Sequence, residues 1–219
     1  MTTNDPPPTH FGVLLFPGFQ ALDVFGPLDA LNILSNTNPT HTLSILSSTL
    51  SPVSTKTHLP GASSSFHQSI VPTHTFSSPP DSLEVLLIPG GHGTRSPLLE
   101  EIQFVKDIYP KLRYLITVCT GSLLLAKTGV LDGKKATTNK FSFTRIASEQ
   151  PQVNWVPHAR WVVDGNIWTS SGVAAGVDCT LAFIEHVYGE EVGKRIAETM
   201  EFTRHTDRDK DPFAELYNL

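Results

Sequence analysis

The chain has only two cysteines in 219 residues, Cys119 and Cys179. They sit in unlike surroundings, one at a turn and one inside a helical pattern, which excludes a secreted disulfide framework and predicts a reducing, cytoplasmic setting. Basic blocks are missing too. Sixteen Lys and Arg against 21 Asp and Glu give a formal net charge of −5, and no cluster of cations offers the footprint that phosphate binding needs, so nucleic acid is not an expected partner. No apolar run is long enough to span a bilayer, and Met1 to His10 is polar and proline-rich without the apolar core of a signal peptide, so a membrane is not expected either. What remains is small-molecule chemistry in a chain that, at 39% hydrophobic and 17% charged, can bury one full core. The expected layout is a flexible tail over 1–10, a single domain over 11–213 and a C-terminal tail over 214–219.

Short continuous apolar runs predict strands buried on both faces at Phe11 to Phe16, Thr42 to Leu46, Val85 to Ile88 and Tyr114 to Val118. Helical patterns lie between them: Asp23 to Leu34, Leu98 to Ile108 stopped by Pro110, and Ser122 to Thr128 closed by Gly129. Strand alternating with helix predicts an α/β fold with a parallel, doubly wound sheet. The Ser-, Thr- and Pro-rich stretch Ser47 to Pro80 reads as an elaborated crossover of loops and short strands such as Val53 to Thr57. Asp164-Gly165-Asn166 between two apolar runs is a β-hairpin signal. Two amphipathic helices follow, one through Val177, Leu181, Ile184 and Val187, the other through Val192, Ile196 and Met200. Cys179 falls in the first as a packing residue, and the densely charged Arg204 to Asp211 reads as a solvated surface segment.

The run Tyr114 to Val118 breaks at Cys119 and passes directly into Leu123-Leu124-Leu125-Ala126-Lys127. A strand turning straight into a helix exposes the side chain at the turn beside unpaired helical N–H groups, which is the logic of a nucleophile elbow with sulfur as the nucleophile. A helix N-terminus favours thiolate, so the position predicts a lowered pKa for Cys119. The plain alternative is a buried cysteine that finishes a core strand.

In doubly wound sheets the loops after the strands wall the ligand site. The loop after strand one brings Asp23 to a helix start, as an acid for the site or as an ordinary first-turn carboxylate. Ile88-Pro89-Gly90-Gly91-His92 lacks side chains at Gly90 and Gly91, which allows close approach of backbone N–H groups to an oxyanion, or is a plain glycine turn. Thr120 adds an N–H and a hydroxyl beside the thiol. A thiol, an acid and glycine-supplied donors are the parts for nucleophilic attack on an electrophilic carbon.

These residues resemble the ThiJ/PfpI superfamily, which has a class I glutamine amidotransferase-like fold, and within it the isonitrile hydratase-like branch. The resemblance runs from about Phe11 to about Phe213. It rests on Leu15-Phe16-Pro17 with Leu22-Asp23-Val24 and Gly26-Pro27, on Ile88-Pro89-Gly90-Gly91, and on Val118-Cys119-Thr120-Gly121-Ser122. It continues through Leu131 to Thr138, Asp164-Gly165-Asn166, and Ser171-Gly172 with Ala175-Gly176-Val177-Asp178. It implies a flavodoxin-like α/β sandwich, a homodimer, and no metal or organic cofactor. It also implies attack by Cys119 on the terminal carbon of R–N≡C, with Asp23 handling the proton, Thr120 beside the nucleophile, and Ser171 and Gly172 in the substrate loop. Physical chemistry adds one condition: an ionised Asp23 would repel a thiolate, so the acid must keep a proton in the working site.

Departures from the family pattern bear on function. Where many relatives carry a histidine after the Thr-Thr pair, this chain has Asn139 after Thr137-Thr138, and no histidine follows Cys119. Both absences count against peptidase or amidotransferase chemistry and weigh on a glyoxalase reading. His92 and His158 are substitutes or ordinary surface histidines. Asn139 and Lys140 read as a helix cap and a surface charge. Ser170-Ser171 stands where the hydratase branch has glycines, which would narrow or stiffen the loop. Phe25, Phe141, Phe143 and Trp155 are candidates for an apolar pocket wall or for the core. The alternatives are a glyoxalase or deglycase acting on small reactive aldehydes, a thiol redox sensor, and last the sensing domain of a transcription regulator, for whose DNA-binding module the chain to Leu219 leaves no room.

Overall fold

The computed structural model describes residues 6–57 and 65–219. In chain order the elements are β1 (His10–Leu14), α1 (Ala21–Ser35), β2 (Thr42–Ser47), β3 (Val53–Ser54), β4 (Ser69–Ile70), β5 (His74–Thr75) and β6 (Val85–Ile88). Next come α2 (Leu99–Ile108), β7 (Tyr114–Thr117), α3 (Gly121–Lys127), β8 (Lys135–Ala136), α4 (Phe143–Glu149) and β9 (Asn154–Trp155). The chain closes with β10 (Trp161–Asp164), β11 (Ile167–Ser170), α5 (Ala174–Tyr188), α6 (Glu190–Thr199) and α7 (Pro212–Leu216).

Seven strands form the main sheet in the order β10-β11-β7-β6-β1-β2-β5. All neighbours are parallel except β10 and β11, which form the hairpin signalled by Asp164-Gly165-Asn166. The mostly parallel, doubly wound α/β architecture is therefore present. The step from β1 to β2 runs one way along the sheet and the step from β6 to β7 runs the other. Right-handed crossovers then put α1 and α2 on opposite faces, and the order reverses between β1 and β6. Such a reversal opens a crevice at the carboxyl ends of the strands. The loops that enter it follow β1, β6 and β7.

Burial follows the apolar runs. Val85, Leu86, Leu87 and Ile88 are all buried, as are Leu115 and Ile116 next to them in register. One continuous apolar cluster reaches from Phe11 to Ala197 and includes Cys179. Of the Ser47 to Pro80 crossover, residues 58–64 lie outside the described residues. In the rest, β3 pairs with β4, and β5 extends the main sheet beside β2.

Both tail boundaries move outward into structure. Residues 1–5 lie outside the described residues, but the Pro8 carbonyl accepts from the Tyr188 hydroxyl and the Thr9 N–H donates to Glu84 Oε2 at 2.7 Å. His10 already belongs to β1. At the other end α7 crosses residue 213 and buries Ala214.

The charged segment after α6 is solvated only in its middle. Arg204 pairs with Glu185, and the His205 N–H donates to Asp178 Oδ1 at 2.9 Å. Asp211 is buried 3.9 Å from the ammonium of Lys140. Lys140 is thus no surface charge: its Nζ donates to Ala159 O at 2.6 Å and Thr137 Oγ1 at 2.8 Å, and burial lowers its pKa to about 8.

Arg160 holds Asp178 through two hydrogen bonds of 2.8 and 2.6 Å, both side chains being buried. Asp178→Ala would leave a buried guanidinium uncompensated. A loss of about 3–5 kcal/mol in urea unfolding is expected, against less than about 1 kcal/mol for the exposed Glu149→Ala.

Candidate active site

Cys119 sits between β7 and α3 with φ +58, the left-handed backbone that non-glycine residues adopt only under local constraint. Its N–H donates to Ser171 O at 3.0 Å, and its carbonyl accepts from Thr138 Oγ1 at 3.0 Å and Ser122 Oγ at 3.1 Å. The elbow predicted from the strand-to-helix break is therefore present and held from both sides. Gly90 makes it possible, because a Cβ there would stand 2.5 Å from Thr120 N and 2.9 Å from Cys119 Cβ.

The two glycines do not serve as free oxyanion donors. The Gly90 N–H donates to Asp23 Oδ2 at 2.9 Å, and the Gly91 N–H donates to Thr120 Oγ1 at 2.9 Å. The donors aimed at sulfur are instead the backbone N–H groups of Thr120 and Val173, with the Thr120 hydroxyl. Val173 has φ +39 and ψ −89, which a β-branched side chain disfavours by about 1–3 kcal/mol. This strain turns its N–H toward the thiol.

Asp23 is fully buried, and burial raises its pKa to about 7. The Gly90 N–H and the neighbouring Cys119 thiol pull the other way without cancelling that cost. Oδ1 has no hydrogen-bond partner. An unpartnered oxygen on a carboxyl of raised pKa is where a proton belongs. Asp23 is thus neither a helix cap nor a solvated first-turn acid.

The expectation of a lowered Cys119 pKa is overturned. Burial raises it first and the Asp23 charge second, and the N–H groups of Thr120 and Val173 offset only part of this. At rest the site is a thiol beside a carboxyl, not an exposed thiolate.

A cavity of about 230 Å³ opens onto Cys119 and Thr120 and is bordered by Asn139, Phe141 and Val173. Asn139 stands where the family pattern has histidine. It makes no capping bond, and its buried Oδ1 has no partner. Ser171 supports the elbow through its carbonyl. Gly172 packs against Asn139, where a Cβ would come within 3.3 Å of Asn139 Cβ. The Ser170 hydroxyl donates to Thr117 O at 3.2 Å, tying the loop to β7, so serine in place of glycine stiffens it.

Of the four aromatic candidates only Phe141 borders the cavity. Phe143 is buried edge-to-face on Trp155, and Phe25 is half exposed on α1. His92 borders the cavity and His158 does not. Among the described residues no three His, Cys, Asp or Glu side chains cluster so as to hold a metal ion. No described helix is long and apolar enough to cross a membrane.

A doubly wound sheet, a cysteine on a strained elbow and a carboxyl facing it define a class of cysteine-centred α/β proteins. The chain belongs to the DJ-1/PfpI family, whose profile matches residues 11–186. The isonitrile hydratase of Pseudomonas putida is similar, at 34% identity over 197 residues covering 88% of this chain and 78% of that protein. A deglycase, PfpI of Pyrococcus furiosus, is 31% identical over 96 residues, 42% of this chain and 54% of its own length. The solved structure of a ThiJ/PfpI family protein from Pseudomonas syringae superposes with a TM-score of 0.73 at 26% identity, covering 97% of this chain and 84% of that one.

Linkage sets a stability test. The unfolded chain releases the Asp23 proton near pH 4 while the folded chain keeps it to about pH 7. The folded state therefore binds more protons in that window, and stability falls as pH rises through it. Asp23→Asn should flatten this limb and make the protein more stable than wild type at about pH 8 by on the order of 4 kcal/mol, about three pH units at about 1.4 kcal/mol each, read from urea unfolding at a series of pH values.

Proposed function

We propose that the protein is a cofactor-independent cysteine enzyme that hydrates an isonitrile, R–N≡C, to an N-substituted formamide. The observation that carries this reading is the buried Asp23 carboxyl beside the Cys119 thiol, its pKa raised to about 7 and its Oδ1 unpartnered. Isonitrile carbon accepts a nucleophile and then needs a proton on that same carbon. Sulfur attacks the terminal carbon, the Asp23 Oδ1 proton passes to it, and the thiol proton replaces the one Asp23 has given. The product of this step is a thioimidate on Cys119. Water then adds to its carbon while one of its protons goes to the nitrogen, and collapse of the carbinol expels sulfur, which takes the hydroxyl proton as the formamide leaves.

The N–H groups of Thr120 and Val173 stabilise sulfur whenever it carries negative charge, on attack and on departure. Thr120 owes its position to Gly91 and to Thr94, whose hydroxyl donates to Thr120 Oγ1 at 3.1 Å. Asn139, with an unpartnered acceptor on the cavity wall, orients the attacking water. A cavity below the usual range of about 300–1,000 Å³ suits a substrate of few heavy atoms. A homodimer in a reducing cytoplasm belongs to the same proposal.

One observation favours a second reading: His92 borders the cavity, and an imidazole there would serve the proton transfers of aldehyde chemistry. A redox sensor is disfavoured, because sensor thiols are exposed and low in pKa whereas this one is buried and raised.

Incubation with a simple alkyl isonitrile, followed by mass spectrometry, should yield the formamide from the wild type. Cys119→Ser should fall by at least about a thousandfold. Formamide from neither protein overturns the proposal. Because the protonated form of Asp23 is the active one, kcat/KM should fall about tenfold per pH unit above about pH 7, and a rate that rises through that range contradicts the role given to Asp23.

A further inference from the structure

The mouth of the Cys119 cavity carries charge of one sign. Arg95 and Arg145 border it together with His92, and no Asp or Glu does, in a chain whose net charge is −5. Arg95 ends the 3-10 turn that follows Gly91 and forms no ion pair among the described residues. Arg145, on α4, gives Nη1 to Glu149 at 2.8 Å. That pair is an exposed i,i+4 contact, the weakest kind of ion pair, and it leaves the rest of the guanidinium unspent.

Lys127 stands behind them. Its ammonium donates to Thr94 O at 3.2 Å, and burial lowers its pKa, with the Glu149 charge pulling the other way and the neighbouring Arg145 charge adding a smaller push down. The remaining wall is mostly polar, with Gln20, Thr94 and Asn139. Of the larger apolar side chains only Phe141 and Val173 are present, whereas small-molecule sites are usually lined mainly by apolar groups. A purely aliphatic substituent would find little complement here. A compact anion would find two planar forks of the kind that bind carboxylates.

We infer that the substituent carried by the reacting group is anionic, a carboxylate held by Arg95 and Arg145 a few bonds away from the carbon that meets Cys119. The inference takes the reacting group from the hydratase reading, whereas the anion site stands on the wall of the cavity alone. Its substrates are therefore isonitriles bearing a carboxylate, and its products are N-formyl amino carboxylates.

Two comparisons test it. The first sets 3-isocyanopropanoate against the near-isosteric 3-isocyanopropanamide for the wild type and for the double variant Arg95→Gln/Arg145→Gln. The wild type should favour the carboxylate in kcat/KM by at least about tenfold, and the ratio should fall toward one in the variant. The second needs no turnover: alkylation of Cys119 by iodoacetate is compared with alkylation by iodoacetamide, followed by peptide mass spectrometry. The ratio of the two rates should be at least about fivefold higher in the wild type than in the double variant.

Turnover of both isonitriles with parity in the wild type overturns the inference and leaves the hydratase reading standing. No turnover of either isonitrile, with an alkylation ratio that depends on the arginines, overturns the hydratase reading and upholds the anion site. An alkylation ratio unchanged by the double substitution overturns the anion site whatever the turnover.

Discussion

A single hydrogen bond organises the site: the Gly90 N–H donating to Asp23 Oδ2, across 67 residues of sequence. It joins the loop after β6 to the first turn of α1 and fixes one carboxyl oxygen as an acceptor. The other oxygen, Oδ1, is left buried and unpartnered. Burial then keeps a proton on the carboxyl up to about pH 7. The same glycine has no Cβ to keep Thr120 and Cys119 away. The Asp23 carboxyl and the Cys119 thiol are thus brought together by one residue whose side chain is a hydrogen atom. The arrangement costs stability at neutral pH, which is the common bargain at sites that hold a titratable group out of water.

The elbow is also held from behind. Asp178 fixes Arg160, the Arg160 carbonyl accepts the Ser171 N–H at 2.9 Å, and the Ser171 carbonyl accepts the Cys119 N–H. A second chain of contacts runs through Thr138, whose hydroxyl reaches the Cys119 carbonyl, and Lys140, whose ammonium lies 3.5 Å from the Thr138 carbonyl. Asp211 faces that ammonium from the segment after α6. The C-terminal part of the chain is therefore part of the support of the site, through buried charges of opposite sign that face one another.

Much of this was legible in the residues. The continuous apolar runs at β1, β6 and β7 mark strands covered on both faces, and Asp164-Gly165-Asn166 marks the hairpin, because these signals are local. The break at Cys119 marks the elbow for the same reason. What could not be read is direction and burial. Gly90 and Gly91 advertise close approach, but only the fold shows that their N–H groups turn to Asp23 and Thr120. Cys119 sits at a helix start, which favours thiolate, yet burial and Asp23 outweigh that effect, and both arise from packing. Lys140 and Asp211 look like surface charges because most such residues are. Val173 carries no signal at all, since nothing about a valine announces a positive φ. Asn139 stands where the family pattern has histidine, and its buried, unpartnered Oδ1 is a property only the fold reveals.

The central claim is that Asp23 is a neutral acid in the resting protein. Infrared difference spectroscopy of wild type against Asp23→Asn, recorded from about pH 5 to about pH 9, reads the carbonyl stretch of a protonated carboxyl directly. A protonated band that disappears with a midpoint near pH 7 is the predicted result. A carboxyl already ionised at about pH 5, within the ordinary carboxylate range, would contradict the account and leave Cys119 without its proton donor.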